Sequence, residues 1–65
     1  MLGKVKFFDS RKGFGFIVRE DEHPDVFFHI SGVMGEKKEL KEGDPVTFDL
    51  LQTERGLKAI NVMVR

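Results

Sequence analysis

Turn-forming residues cut this 65-residue chain into short pieces, and no piece carries a sustained apolar stripe at helical spacing. The breaks are Asp9–Gly13, the acidic run Glu20–Pro24, Gly43-Asp44-Pro45 and Gln52–Gly56. Between them lie segments rich in β-branched and aromatic residues, the composition of strands. Strands are expected at Lys4–Phe8, Phe14–Arg19, Asp25–Ile30, Val46–Leu50 and Leu57–Val64. Pro24 excludes its loop from a central strand, since proline donates nothing to a ladder. Ser31–Glu42 is the one helical candidate, and Gly32 and Gly35 weaken it to a single turn after Ile30. An open sheet this small would leave its edges bare and bury little. The expectation is therefore a single all-β domain over residues 1–65, a small five-stranded antiparallel barrel.

Six of the seven phenylalanines lie between positions 7 and 28: Phe7, Phe8, Phe14, Phe16, Phe27 and Phe28. Phenylalanine is ordinarily a core residue, and Phe48 and Phe28 fit that role. Phe28 shares a face with Val26 and Ile30, and Phe48 shares one with Val46 and Leu50. The others fail on count. One thin barrel cannot enclose six rings together with Ile17, Val18, Val26, Val46, Leu50, Ile60 and Val62. Some rings must lie outside, and clustered exposed aromatics mark a binding surface.

The stretch Lys12-Gly13-Phe14-Gly15-Phe16-Ile17 shows how such a surface is made. Phe14 and Phe16 share one face, with Gly15 leaving the backbone between them uncovered and Lys12 alongside. Alternation places Phe27 and His29 together on the outer face of the third strand. On the first strand it groups Phe8 with Lys4 and Lys6, and turns Phe7 inward with Val5, although bulges break such parity. On the last strand it puts Ile60, Val62 and Val64 on one face. Flat rings beside cations suit single-stranded nucleic acid, because every base has a π-face and every phosphate a charge.

Net charge is zero, but it is unevenly spread. Residues 1–19 hold Lys4, Lys6, Arg11, Lys12 and Arg19 against Asp9 alone, whereas Glu20, Asp21, Glu22 and Asp25 follow without a lysine or arginine. Positive charge therefore falls in the segment that carries the rings, and local potential is what draws a phosphate backbone.

Taken together, these segments resemble a cold-shock domain. Gly3-Lys4-Val5-Lys6-Phe7-Phe8 is similar to the family's opening strand, and Lys12–Ile17 to its first ribonucleoprotein motif. Asp25-Val26-Phe27-Phe28-His29-Ile30-Ser31 is similar to the second motif. Leu40-Lys41-Glu42-Gly43, Val46-Thr47-Phe48 and Ala59-Ile60-Asn61-Val62 resemble the later turn and strands. The resemblance implies a barrel of the oligonucleotide/oligosaccharide-binding class that binds single-stranded RNA and DNA, loosens RNA secondary structure and modulates transcription or translation. It implies a binding set of Lys6, Phe7, Lys12, Phe14, Phe16, Phe27, His29 and Ile30, with Arg55 from the last turn and Phe8 as a partial contributor. The chain departs from the family where Phe7 replaces tryptophan, Ile30 an aromatic, Asp9 an asparagine, and Gly56-Leu57 a Gly-Pro. Near Lys37-Lys38 the connection is a residue shorter and cationic rather than aromatic. These changes imply a weaker and more electrostatic binder.

Other classes find less support. The Lys-Gly-Phe-Gly-Phe core also resembles part of an RNA-recognition motif, but that fold needs two helices for which the chain has no room. A barrel that docks proteins through its exposed rings is the alternative of a different class, and the interleaved lysines and glycines speak against it. Gly13-Phe14-Gly15 lacks the third glycine and following helix of a phosphate loop. No nucleophile stands with a base, so no catalytic residue is assigned, and no cofactor is implied. Without cysteine, disulfides and thiolate zinc sites are excluded, and His23 and His29 at this spacing are weak evidence for a ligand set, so no metal site is expected. No segment reaches membrane-spanning length and no signal-peptide pattern is present, so a cytoplasmic protein without a membrane partner is the expectation. A monomer is expected, with dimerisation or strand exchange permitted by the exposed rings and the long Ser31–Glu42 connection.

Overall fold

The computed structural model describes residues 1–35 and 40–65. Five strands form, β1 Leu2–Asp9, β2 Phe14–Arg19, β3 Val26–His29, β4 Pro45–Thr53 and β5 Gly56–Val64, with one 3₁₀ turn at Ile30–Gly32. They close in the order β1-β2-β3-β5-β4, with β1 pairing both β2 and β4. Four of the five pairings are antiparallel; β3 and β5 run parallel, with Phe27 opposite Lys58 and Phe28 opposite Ala59. Ile30 leaves the third strand and opens the 3₁₀ turn, because the His29 side chain accepts the Ser31 N–H and bends the chain there.

The interior is complete with two rings. Val5, Ile17, Val26, Phe28, Val33, Leu40, Val46, Phe48, Ala59 and Val62 are buried, and Phe8 and Leu50 pack against them from the margin. Val18 faces outward instead of filling the core, and Phe7, Phe14, Phe16 and Phe27 all remain partly or largely exposed.

Three local expectations are corrected. On β1, Val5 pairs with Ile17 but Phe7 pairs with Phe16, so Lys6 is an extra residue in a bulge. The bulge reverses the parity beyond it. Phe7 turns outward, and Phe8 turns inward, its ring stacked on Phe28 at 5.7 Å and 13°. On β5 a second irregularity sets two residues, Asn61 and Val62, in the interval opposite Phe48. Asn61 adopts φ 51°, a left-handed conformation that asparagine tolerates, and its amide donates to Asp49 at 3.0 Å. Ala59 and Val62, three apart, are therefore both buried, while Ile60 is half-buried and Val64 exposed.

Gly15 supplies the third correction. It does not leave open backbone; it is buried, and a Cβ there would overlap the Phe7 carbonyl and lie 2.9 Å from two ring carbons of Phe28. The absent side chain is the space the Phe28 ring occupies. Gly15→Ala should therefore overpack the core and lower stability by about 1–3 kcal/mol, the usual cost of inserted methylenes. Urea unfolding followed by circular dichroism measures it, and an unchanged midpoint would show that the ring shifts freely.

Candidate nucleic-acid interface

Three adjacent strands bring four rings together. Register aligns Phe7 with Phe16 and Phe16 with Phe27, while Phe14 lies opposite His29. Phe7 packs against Phe14 at 6.1 Å in edge-to-face geometry and against Phe16 at 5.5 Å. Phe27 stacks on Phe14 and meets Phe16 edge-on, both at 5.9 Å. Phe7 is 40% exposed and the other three are half-buried. Each ring thus supports another while part of its surface stays open, so the cluster is held before any ligand arrives. Aromatic pairs of this kind are worth about 0.5–1.5 kcal/mol beyond area burial. A preformed platform lessens the ordering cost of binding.

His29 extends the platform. Its Nδ1 accepts the Ser31 backbone N–H at 3.1 Å and lies 2.8 Å from Ser31 Oγ. An acceptor at Nδ1 places the proton of the neutral ring on Nε2, on the side facing Gly13, where it is a donor. Ile30 is half-buried beneath the β1–β2 turn: its N–H donates to the Gly13 carbonyl at 2.7 Å, and its side chain lies against Gly13. Gly13 itself takes φ 73°, which favours glycine. Ile30 therefore holds the turn that carries Lys12 as well as lying at the platform's border.

The charged residues divide into free and engaged. Lys12 is exposed and has no ion-pair partner among the described residues. The Asp9 carboxylate beside it accepts the N–H groups of Arg11 and Lys12 at 3.0 and 3.1 Å, so this acid organises the turn. Arg55 stands exposed at the tip of the β4–β5 hairpin, where it lines a cleft of about 580 Å³ with Phe27, Thr53, Glu54, Leu57 and Lys58. Lys6 is bound to Asp25 at 2.8 Å, an exposed pair that must open or be shared to meet a phosphate. Lys37 and Lys38 lie outside the described residues.

Two of the sequence assignments fall away from this surface. Phe8 was grouped with the basic face by alternation, but the β1 bulge turns it inward, and Phe28 is its one aromatic partner among the described residues. Arg19, counted with the basic segment, is buried and bonded to Asp21 at 2.5 Å. Its Nε has no partner among the described residues. Conversely, Lys58 was missed: nothing local distinguishes it, and it reaches Phe27 only through the parallel pairing of β3 with β5.

A closed five-stranded barrel with an aromatic cluster across adjacent strands defines the oligonucleotide-binding class of small barrels. The family model described as the "'Cold-shock' DNA-binding domain" matches residues 1–65, and the chain belongs to this family of nucleic-acid-binding domains. A cold shock-like protein of Thermotoga maritima is 49% identical over 65 residues, covering 98% of this chain and 97% of that protein. The cold shock protein ScoF of Streptomyces coelicolor is 48% identical over 61 residues, covering 92% and 91%. A solved structure described as "drosophila Unr CSD456" matches with TM-score 0.82 and 26% identity, covering 98% of this chain and 26% of that longer one. No helix among the described residues is long and apolar enough to cross a membrane.

The Arg19–Asp21 contact gives a pH signature separate from binding. The hydrogen bond from Arg19 holds the Asp21 carboxyl below its ordinary value, against a smaller opposing effect of desolvation. A carboxyl lowered on folding contributes stability above its unfolded pKa, and the contribution is lost as pH falls through the lowered, folded pKa. Asp21→Asn should therefore reduce the urea midpoint at neutral pH, with the difference from wild type vanishing in acid. An equal difference at both pH values would contradict the linkage.

Proposed function

We propose that this protein binds single-stranded RNA and single-stranded DNA, acting as a monomer in the cytoplasm, and that it serves as an ATP-independent RNA chaperone and regulator of transcription or translation. The observation that carries the reading is the cluster of Phe7, Phe14, Phe16 and Phe27 on the outside of a barrel whose interior is already filled. Bases stack on these rings, and His29 offers a further ring and the Nε2 donor to a base edge. Lys12 and Arg55 meet phosphates directly, with Lys6 contributing once its pair with Asp25 opens.

Bases stacked on protein are removed from pairing. Binding the unpaired strand alone pulls the RNA equilibrium toward the melted state by mass action, and no nucleotide hydrolysis is required. Stacking discriminates little among bases, so sequence preference is broad. Family membership supports the nucleic-acid partner, and the open π-faces favour a single strand over a duplex, whose bases are already stacked.

The test is calorimetric titration with a short pyrimidine-rich single strand at two salt concentrations, because the chain has neither tryptophan nor tyrosine for fluorescence. Stacking is worth about 1–3 kcal/mol per base, so Phe14→Ala and Phe27→Ala should each weaken binding about 5- to 150-fold. Both variants should keep the far-ultraviolet spectrum of the parent. Normal binding by both, or equal affinity for duplex of the same sequence, would overturn the reading.

A further inference from the structure

Lys58 is a cation that the binding set read from the sequence does not include. It lies on β5, directly opposite Phe27 in the parallel pairing with β3. Its neighbour Ala59 is buried, so Lys58 faces outward on the side of the ring cluster. The side chain stands between two clefts. One, of about 580 Å³, runs toward the hairpin tip and is lined by Phe27, Arg55 and Leu57 among others. The other, of about 230 Å³, lies on the far side against His29, Ser31 and Asn61. Lys58 lines both.

Its electrostatic situation differs from that of Lys6. Lys6 is exposed and paired with Asp25, whereas Lys58 is half-buried and has neither an ion pair nor a side-chain hydrogen bond among the described residues. Half-burial covers part of the Lys58 side chain, but its Nζ is not among the buried polar atoms, so the ammonium stays open to an anion at the surface. The Glu54 carboxylate also lines the larger cleft and opposes an anion there, but Arg55 and Lys58 outnumber it. The open wall of Leu57, 46% exposed, offers an apolar surface for a sugar or base edge beside the two cations.

We propose that Lys58 is a phosphate contact, holding the backbone phosphate next to the base stacked on Phe27 and carrying the single strand from the ring cluster toward Arg55 on the β4–β5 hairpin. The proposal rests on the reading that the rings take bases. It adds an electrostatic anchor on β5, between the rings and the Arg55 hairpin, to those at Lys12 and Arg55.

The experiment measures affinity for a short pyrimidine-rich single strand across a salt series, for the wild type, Lys58→Gln, Lys58→Arg, Lys4→Gln and Phe14→Ala. Each phosphate neutralised on a single strand contributes about 0.7 to the slope of log affinity against log salt. Lys58→Gln should weaken binding at low salt and flatten the slope by about 0.7, while Lys58→Arg restores both. Lys4 lines a cleft with Val18, Glu20 and Glu42 that includes none of the rings, so Lys4→Gln is the surface-charge control and should flatten the slope less than Lys58→Gln does. Phe14→Ala should lower affinity at every salt concentration with the slope retained. If Phe14→Ala weakens binding but Lys58→Gln keeps the wild-type slope, Lys58 is not a phosphate contact and the platform reading stands. If Phe14→Ala binds normally, the platform itself fails and this proposal with it. A Lys58→Gln variant that loses affinity with no change in slope has lost packing, which also overturns the assignment.

Discussion

The contact between the Phe28 ring and the backbone at Gly15 is the constraint on which the rest depends. Phe28 is fully buried, and its ring carbons occupy the place a side chain at position 15 would need. This close approach lets β2 and β3 pair while a large ring sits directly beneath them. Phe8 stacks on the same ring from the side. With Phe28 inside and Phe48 filling the space under β4, the interior closes around aliphatic residues and holds no further aromatic fully inside. The remaining rings stay outside because the pleat alternates: Gly15 and Ile17 point in, so Phe14 and Phe16 point out, and the same rule on β3 sends Phe27 outward when Phe28 goes in. Core packing and binding surface are therefore two consequences of one register.

The β1 bulge completes the surface. Without the extra residue at Lys6, strict alternation would bury Phe7 with Val5 and leave Phe8 outside. With it, Phe7 joins Phe14 and Phe16 while Phe8 fills the edge of the core. The β5 irregularity does similar work at the opposite side of the barrel, where Asn61 takes a left-handed conformation and lets both Ala59 and Val62 reach the interior. A barrel of this size turns sharp corners, and each corner is a place where period-two patterning stops being a guide.

Charge is sorted in the same way. The chain is neutral overall, yet its surface is not uniform. Arg19 is spent on Asp21 inside the β2–β3 corner, Lys6 is held by Asp25, and Asp9 is occupied by the backbone of its own turn. What remains beside the rings is Lys12 at one turn, Arg55 at another, and Lys58 between. Neutrality thus conceals a platform edged by cations, a distribution that net charge could not reveal.

Much of this was legible in the residues themselves. Turn residues located all five strands to within a few positions, the surplus of phenylalanine required an exposed set, and the Lys12–Ile17 and Asp25–Ser31 motifs indicated the family. Phe14, Phe16 and Phe27 could be placed outside from alternation, because no bulge interrupts β2 or β3. The exchange of Phe7 with Phe8, the burial of Arg19, the occupation of the space at Gly15 and the position of Lys58 beside Phe27 were decided by the tertiary structure alone. Each depends on a residue distant in sequence: Phe28 over Gly15, Phe16 opposite Phe7, Phe27 opposite Lys58. Alternation is a property of one strand and travels with its sequence. Register between strands, and the bulges that reset it, are settled only when the sheet closes and every interior position must be filled once.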